Sequence, residues 1–380
     1  MRCDYFDAGV CRSCALMGVP PEQQLAGKQA TVAGLLGARV PATAWSEPYH
    51  GPEVAFRNKA KLVVGGSKGS PTVGILDAGG RGVDLRRCGL YEPGLHAAVL
   101  SLADLLATSG LTPYDVPARQ GELKHLLLTL SPDGELMVRF VLRSPGQLRR
   151  VRELLPQVRA ALPTTRVVSV NLQPEHKAVL EGPEETVLTQ ADSLPMRVND
   201  IRLHLRPQSF FQTNTHVAAG LYAQARDWAA QDERAGGGPG SVLDLYCGVG
   251  GFALHLAGPD RDVLGVESAP EAVSSARTSA QELALDPAVV RFEVGDATAY
   301  LQEGPTPDLV VVNPPRRGVG PLAGRLESSG VRRVLYSSCN ARTLATDLAA
   351  MPSLRVRRAR LFDMFPQTHH HEVLVELVRR

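Results

Sequence analysis

The stretch from Ser241 to Phe252, SVLDLYCGVGGF, places the strongest constraint on what this chain can fold into. An apolar run leads into a turn that contains Gly248, Gly250 and Gly251, and a helical pattern begins at Phe252. A strand, a glycine-rich turn and a helix in this order aim backbone N–H groups at a ligand. We expect glycine in the turn because a Cβ there would hold the ligand away. The segment therefore predicts a Rossmann-like α/β unit.

Two acidic strand ends indicate what this unit binds. Glu267 ends the next apolar run and could accept hydrogen bonds from both hydroxyls of a ribose, while Asp296 ends the following run and suits an adenine edge. Together with the turn, they predict the S-adenosylmethionine (SAM) pocket of a methyltransferase. A dinucleotide site is disfavoured, because Ala253 stands where G-x-G-x-x-G requires its third glycine. The alternative is a tight turn without a ligand.

Length and composition predict two or three domains, since the chain has 380 residues and 44% of them are hydrophobic. No apolar run approaches a membrane-spanning length and the first residues lack a signal peptide's apolar core, so we expect a cytoplasmic protein without membrane contact. We also expect a monomer.

The net charge of +2 excludes neither nucleic acid nor a small molecule as the substrate. Cations nevertheless cluster, and the clusters indicate either solvated faces or a composite RNA surface: Arg57, Lys59 and Lys61; Arg149, Arg150 and Arg152; Arg316 and Arg317; and Arg355, Arg357, Arg358 and Arg360.

Four cysteines form a candidate metal site. Cys3, Cys11 and Cys14 make a C-x7-C-x2-C run, and Cys88 is a distant fourth. Thiolates at an x2 spacing can bind one metal centre from a single turn, so the set could hold zinc or a [4Fe–4S] cluster. Unrelated buried cysteines are the alternative. The spacing is not the C-x3-C-x2-C of radical SAM enzymes.

The patterns divide the chain into three regions. Residues 1–92 contain the cysteines and two strands, at 56–64 and 72–76. Residues 93–205 form a central α+β domain, with a helix at 95–109, strands at 124–130 and 135–143 joined by a Ser-Pro-Asp-Gly turn, a helix at 146–162 and a strand at 167–172. Residues 206–380 form the methyltransferase domain, in which a helix at 217–230 and a flexible loop at 231–240 precede the first strand.

The methyltransferase domain carries three candidate catalytic segments. Asn313 begins an Asn-Pro-Pro tip after the fourth strand, where methyltransferases place a target base; Arg316 follows it instead of the aromatic residue typical of amino-group methylation. Cys339 ends the fifth strand at a helix entrance, where a lowered pKa would make its thiol a nucleophile. A buried structural cysteine is the alternative. A loop with three histidines ends at Glu372, which we expect to point inward.

The combined motifs resemble those of the RNA uracil-C5 methyltransferases. The resemblance covers nearly the whole chain and rests on the N-terminal cysteines, FRNKAK from Phe56, RPQSFFQTN from Arg206, DLYCGVGGF from Asp244, NPPRRG from Asn313, SSCN from Ser337, and FDMFP with Glu372. Because the transfer-RNA members lack the cysteines, the four thiols favour the ribosomal type. The resemblance thus implies 23S rRNA as partner and uracil-747 as the target, with another rRNA or tRNA uracil as the alternative.

The resemblance also implies roles for individual residues. Cys339 is expected to add to C6 of uracil and Glu372 to remove the C5 proton, giving 5-methyluridine through a covalent intermediate. The four cysteines are expected to hold a [4Fe–4S] cluster. The SAM site would comprise Gln212, Tyr246, Gly251, Glu267, Asp296 and Asn313.

Two other classes stay open at this stage. An N6-amino or ring-nitrogen methyltransferase would use Cys339 only structurally. An iron–sulfur RNA-binding protein would bind RNA without transferring a methyl group. The pair of Cys339 and Glu372 argues against both.

Overall fold

The computed structural model describes residues 1–177, 179–231, 240–259, 261–301 and 306–380. They form two compact units. The first unit comprises Met1–Met17, Glu53–Met196 and Arg206–Gln208, and the second comprises Gly18–Pro52, Arg197–Leu205 and Ser209–Arg380. The loop predicted at 231–240 falls almost entirely outside the described residues.

The helices in the described part of the chain are α1 (Asp4–Asp7), α2 (Pro21–Leu36), α3 (Pro93–Ser109), α4 (Leu148–Ala161), α5 (Thr215–Ala230), α6 (Gly251–Leu256), α7 (Pro270–Glu282), α8 (Leu322–Ser328) and α9 (Ala341–Ala349).

The strands are β1 (Lys59–Ser67), β2 (Ser70–Leu76), β3 (Gly82–Asp84), β4 (Leu123–Leu130), β5 (Leu136–Leu142), β6 (Thr165–Leu172), β7 (Glu184–Val187), β8 (Leu194–Val198), β9 (Ile201–Leu205), β10 (Ser241–Leu245), β11 (Asp262–Glu267), β12 (Val290–Val294), β13 (Leu309–Val312), β14 (Arg333–Ser338), β15 (Leu354–Phe362) and β16 (Glu372–Arg379). Strands β8 and β9 pair as a small two-stranded sheet.

The first unit is built on a seven-stranded sheet in the order β3-β2-β1-β4-β5-β6-β7. Alternate β1 residues such as Leu62 and Val64 pack with α3 and α4 in one hydrophobic cluster. The predicted helix ends as expected, since Gly110 adopts the left-handed φ of +71° that closes α3. The predicted hairpin between β4 and β5 is confirmed, with Gly134 at φ +84° in its turn.

The predicted boundary at residue 92 is wrong. Strands β1 to β3 precede it and β4 to β7 follow it, yet all seven belong to one sheet because β1 pairs with β4. The sequence pattern predicted β1 and β4 as strands but not β3, β7 or this pairing, which joins residues 62 to 70 positions apart. The predicted boundary at 206 lies close to Ser209, where the main part of the second unit begins.

The second unit confirms the Rossmann-like α/β prediction. Its sheet has the order β12-β11-β10-β13-β14-β16-β15, and strands β10 to β14 are mutually parallel along this order. The order reverses between β10 and β13, which is where open α/β sheets form a crevice at the carboxyl ends of their strands. Strand β16 inserts antiparallel between β14 and β15.

Helix α2 also belongs to the second unit, although in sequence it lies between two segments of the first unit, Met1–Met17 and Glu53–Met196. Val32 and Leu36 are fully buried in the hydrophobic cluster formed by β10, β13, β14 and β16. The sequence analysis missed this helix. No helix within the described ranges is long and apolar enough to cross a membrane.

Candidate active site

The glycine-rich turn connects β10 to α6 in a strained conformation. Tyr246, Gly248 and Gly250 all have positive φ angles, of +63°, +55° and +87°. The buried Asp244 supports the turn, because its Oδ2 accepts a hydrogen bond of 2.9 Å from the backbone N–H of Ala253. Burial raises the pKa of Asp244 to about 8 despite this bond.

The structure corrects the reason why two of these glycines are needed. A Cβ on Gly251 would lie 2.5 Å from the hydroxyl oxygen of Tyr222, and a Cβ on Gly250 would crowd Phe292 at 3.1 Å. Protein side chains therefore exclude a Cβ at both positions. Of the three turn glycines, only Gly248 has open space where a Cβ would lie. It is therefore the one that permits the close ligand approach expected from the sequence.

A cavity of about 660 Å³ lies at the carboxyl ends of the strands. Its lining includes Tyr246, Glu267 and Asp296, together with Arg317 and the segment that follows it. Asp296 and Arg317 act in opposite directions on the phenol of Tyr246, whose pKa is raised chiefly by burial. Three of the six predicted cofactor residues thus share one cavity, and Arg317 was not predicted.

The two carboxylates in this cavity are held in place by local hydrogen bonds. Glu267 Oε2 accepts from the backbone N–H of Gly248 at 3.3 Å, and its Oε1 accepts from the backbone N–H of Ala269 at 3.0 Å. Asp296 Oδ1 accepts from the backbone N–H and the hydroxyl of Thr298, both at 2.8 Å, and these bonds lower the pKa of the exposed carboxyl. Both groups are therefore fixed acceptors.

The other predicted cofactor residues lie outside the lining of this cavity. Gly251 begins α6 beneath Tyr222. Gln212 is buried two residues before Asn214, whose side chain caps α5 by accepting from the N–H of Val217 at 3.2 Å. Asn313 follows β13 and donates its backbone N–H to the carbonyl of Leu245 at 3.5 Å.

Cys339 and Glu372 come together at neighbouring strand ends. Strands β14 and β16 pair as far as Ser338 and Val373, and Cys339 and Glu372 are the next residues beyond that pair, where Glu372 is close enough to raise the pKa of the Cys339 thiol. Glu372 is 3% exposed, which agrees with the predicted inward orientation. The thiol and the carboxyl are thus adjacent although 33 residues separate them in sequence.

Burial raises the pKa of Glu372 to about 7, while a hydrogen bond of 2.5 Å from the hydroxyl of Ser337 opposes that shift. A carboxyl with this pKa is suited to accept a proton near neutral pH. The sequence analysis did not identify Ser337, although its place in the Ser-Ser-Cys-Asn motif could have suggested a role.

The expectation of a lowered pKa for Cys339 is wrong. Burial raises the pKa of this thiol, and the adjacent Glu372 raises it further. The Arg316 side chain hydrogen-bonds the thiol and lowers the pKa, but its effect is smaller. The free enzyme therefore holds Cys339 mainly as a thiol, and Arg316 is the cation that favours the thiolate.

The segment around Arg316 is anchored to the entrance of α9. Asn340 donates its side-chain N–H to the Arg316 carbonyl at 2.9 Å, and its Oδ1 caps α9. Beyond Arg316, Asp347 accepts from the backbone N–H of Val319 at 2.9 Å and from the hydroxyl of Tyr336 at 2.6 Å. One short helix thus positions both the thiol and one wall of the cavity.

The four N-terminal cysteines all lie in the first unit. The thiols of Cys3, Cys11 and Cys88 each raise the pKa of the Cys14 thiol, so they lie near it, and none of the six cysteines forms a disulfide. Within the residues that the structure describes, however, no group of three or more His, Cys, Asp or Glu side chains is arranged to hold a metal ion. The iron–sulfur site stays a prediction.

Several predicted cationic clusters contribute to internal structure. The pKa of Lys59 is lowered to about 8, chiefly by burial and further by the neighbouring cations Lys61 and Arg139. On β15, Arg357 and Arg358 both pair with the fully buried Glu376, at 2.7 and 2.6 Å. These side chains are not available as a simple phosphate-binding face. Arg149 is different, since its side chain is 92% exposed.

A largely parallel sheet with a glycine turn and fixed carboxylates around a strand-end cavity is the arrangement of Rossmann-like nucleotide-binding folds. Residues 184–380 match the family model described as tRNA (Uracil-5-)-methyltransferase. The chain is 49% identical over 382 residues to the 23S rRNA (uracil(747)-C(5))-methyltransferase RlmC of Cronobacter sakazakii and 46% identical over 383 residues to that of Escherichia coli, with all of each chain covered.

A solved structure, that of Pyrococcus abyssi tRNA (uracil-54, C5)-methyltransferase in complex with S-adenosyl-L-homocysteine, shares the fold. Its TM-score is 0.76 at 24% identity, and the match covers 96% of this chain and 85% of that one. The chain belongs to the tRNA (uracil-5-)-methyltransferase family.

Proposed function

We propose that this protein transfers a methyl group from SAM to C5 of a uracil in 23S rRNA, at the site equivalent to uracil 747 of its relatives, and so forms 5-methyluridine. Full-length identities of 46 to 49% to enzymes named for that reaction support the choice of substrate. The adjacency of Cys339 and Glu372 across β14 and β16 carries the chemical part of the proposal.

The strand-end cavity suits the nucleoside part of SAM. Glu267 presents a fixed carboxylate to ribose hydroxyls, Asp296 presents one to the adenine edge, and Tyr246 offers an aromatic face. Gln212, Gly251 and Asn313 complete the proposed binding set. The bound donor supplies an electrophilic methyl group on a positively charged sulfur.

Cys339 starts the proposed reaction, because C5 of uracil is a weak nucleophile. Addition of its thiolate to C6 forms an S–C6 bond and moves electrons toward O4, which makes C5 an enolate carbon. C5 then attacks the methyl carbon, and the bond from that carbon to sulfur breaks. The target base must leave its stack to expose both faces.

Glu372 completes the proposed reaction by removing the C5 proton. The electrons of the broken C–H bond re-form the C5–C6 double bond, and the thiolate leaves C6. The raised pKa of about 7 favours this role, since the carboxylate can take up a proton at neutral pH. The enzyme ends with Glu372 protonated and Cys339 free for another cycle.

Denaturing electrophoresis with 5-fluorouracil-substituted 23S rRNA fragments and radiolabelled SAM tests this chemistry. Fluorine cannot leave C5 as a proton does, so the wild-type enzyme should form a stable RNA–protein adduct. Cys339→Ala should form none, whereas Cys247→Ala should leave the adduct intact because its buried thiol lies in the cofactor turn. Normal methylation by Cys339→Ala would instead favour an amino-group methyltransferase.

The identity of the RNA needs a separate experiment. Matched 23S rRNA and transfer-RNA fragments, each with its candidate uracil replaced by cytosine in a control, should be methylated and digested for mass spectrometry. We expect 5-methyluridine only in the 23S fragment. Its appearance only in the transfer RNA would move the assignment to that substrate.

We further propose that Cys3, Cys11, Cys14 and Cys88 hold a [4Fe–4S] cluster. The mutual influence of these thiols and their freedom from disulfides support the donor set, and thiolate ligands suit iron–sulfur clusters. Protein purified without oxygen should contain about four iron and four sulfide ions per chain. Cys88→Ser should lose them, Cys247→Ser should not, and zinc in their place would overturn the proposal.

We also infer a cytoplasmic monomer. The relatives named for 23S rRNA methylation support the cytoplasmic location, because ribosomal RNA is found in the cytoplasm. Sedimentation at the protein concentration of the activity assay should give a single species of 40.7 kDa.

A further inference from the structure

Helix α2 holds the loop that leads to Glu372. This loop, residues 363–371, connects β15 to β16, and it is termed here the base loop because it precedes the proposed base. Lys28 donates from Nζ to Asp363 Oδ1 at 2.5 Å and to the Phe365 carbonyl at 3.0 Å. One buried cation therefore binds the loop at two points.

Gln24, one helical turn before Lys28, holds the base loop at a third point. Its Nε2 donates to Gln367 Oε1 at 3.0 Å, and its Oε1 accepts from the backbone N–H of Gln367 at 3.0 Å. Gln367 has a φ of +66°, a left-handed conformation that is uncommon for residues other than glycine. The paired hydrogen bonds thus hold the loop in a conformation that it would not favour alone.

These contacts are unlike ordinary surface bonds. Gln24 and Lys28 are each 4% exposed, and burial lowers the pKa of Lys28. A buried charge carries a desolvation cost, and replacing such pairs with apolar residues is often neutral or stabilising. Replacing Lys28 alone would leave Asp363 as a buried unpaired charge and destabilise the fold, whereas replacing both partners avoids that cost. Either change removes the donors that define where the loop backbone lies.

We propose that Lys28 and Gln24 are positioning residues for Glu372 and act specifically on removal of the C5 proton. The inference rests on the uracil-C5 reaction proposed above. Glu372 is joined directly to the loop that they hold, and its carboxyl is then oriented by Ser337. Cys339 directly follows β14 and lies outside that loop, so addition to C6 and methyl transfer do not depend on α2 in the same way.

The two halves of the reaction can be measured separately. Methyl transfer places label from SAM on the RNA while the S–C6 bond is intact. Proton removal releases tritium from C5 of [5-³H]uracil RNA, re-forms the double bond and frees the enzyme. A misplaced base should therefore leave methylated RNA attached to Cys339, even with unfluorinated RNA.

The experiment compares Lys28→Met and Gln24→Ala with the wild-type protein in single turnovers. Each variant should slow tritium release by between about tenfold and a hundredfold, while methyl transfer changes far less and the covalent methylated adduct accumulates. Glu372→Gln should show the same pattern in its extreme form. Equal slowing of both steps, or no slowing, would overturn the proposal.

Matched controls separate positioning from folding. Val32→Ala removes a buried α2 side chain that packs in the core, and Gln23→Ala alters an exposed α2 side chain next to Gln24. Both should keep the wild-type ratio of the two rates, even if Val32→Ala lowers the melting temperature. The double variant Lys28→Met with Asp363→Asn leaves no unpaired charge and should fold well, yet it should still accumulate the adduct.

Measurements on the wild-type enzyme distinguish a failure of the proposed uracil-C5 function from a failure of the positioning role of Lys28 and Gln24. If it forms no adduct with 5-fluorouracil RNA and releases no tritium, the uracil-C5 function itself fails. If it does both and the α2 variants match it, only the positioning role fails.

Discussion

Glu372 combines burial with a single hydrogen bond from Ser337, and these two features set when it can accept a proton. Activity limited by the base should rise with pH through about 7, as the carboxyl ionises. Ser337→Ala removes the bond that lowers the pKa of Glu372, so the rising limb should move to higher pH. A pH profile of single-turnover tritium release measures this. A limb that stayed in place or moved to lower pH would contradict the assignment.

The same carboxyl should reduce folding stability at high pH. Its folded pKa of about 7 lies above the ordinary value of 4.5, so the folded state favours the protonated form and stability falls as pH rises through this interval. Above pH 7 the cost approaches about 3 kcal/mol. Glu372→Gln should therefore raise the melting temperature at pH 8 and not at pH 4, which calorimetry can check. Equal changes in melting temperature at both pH values would exclude ionisation of Glu372 as the cause.

Arg316 is expected to control the thiolate of Cys339. Arg316→Gln removes the cation that lowers the pKa of the thiol, so adduct formation with 5-fluorouracil RNA should slow by about tenfold for each unit of added pKa. The defect should diminish as pH rises. Arg317→Gln provides the control, because this neighbour lines the cofactor cavity and should weaken SAM binding instead. A defect independent of pH would point to RNA contact.

At the scale of single elements, the turn before α6 depends on the packing of Tyr222. Gly251→Ala would place a methyl group against the Tyr222 ring and should destabilise the protein by about 1 to 3 kcal/mol. Gly324→Ala in α8 is the matched control, since it meets open space and should be neutral or slightly stabilising. Chemical denaturation compares the two. Equal effects would show that the turn tolerates a side chain.

Elements with local signals were predictable from sequence. The apolar run and glycines of the β10 turn, the helix that ends at Gly110 and the hairpin at Gly134 each carry their signal within a few residues. Strand β15 was missed because its LRVRRARLF sequence looks solvated. Arg357 and Arg358 are explained by Glu376, which lies on the following strand, and Arg360 by the Glu47 carbonyl and the Gln224 side chain.

The active site was predictable in its residues but not in its electrostatics. Motifs located Cys339 and Glu372, yet the raised pKa of the thiol arises chiefly from its burial and then from the neighbouring Glu372, and neither cause can be read from the motifs. Likewise, neither Lys28 nor Gln24 belongs to a recognisable motif. Their contacts with the base loop join positions more than 330 residues apart.

At the scale of the whole molecule, the second unit is discontinuous. Residues 206–380, predicted as a methyltransferase domain, lack α2, whose Val32 and Leu36 fill the core of that unit. This segment expressed alone should therefore unfold without a cooperative transition. Co-expression of residues 18–52 should restore a sharp transition in calorimetry. A stable, cooperative 206–380 fragment would show that α2 is dispensable for folding.

Because α2 precedes nearly all of the first unit in sequence, it is also synthesised before its own binding partners. At synthesis rates of about 5 to 20 residues per second, a nascent α2 leaves the ribosome tens of seconds before Glu372 is made. Until β16 is made, Val32, Leu36 and the Lys28 side chain lack part of the site that they occupy in the folded protein. Glu372 is thus made after Gln24, Lys28 and Cys339, so a nascent chain that has not reached it lacks the proton acceptor for the last step of the cycle.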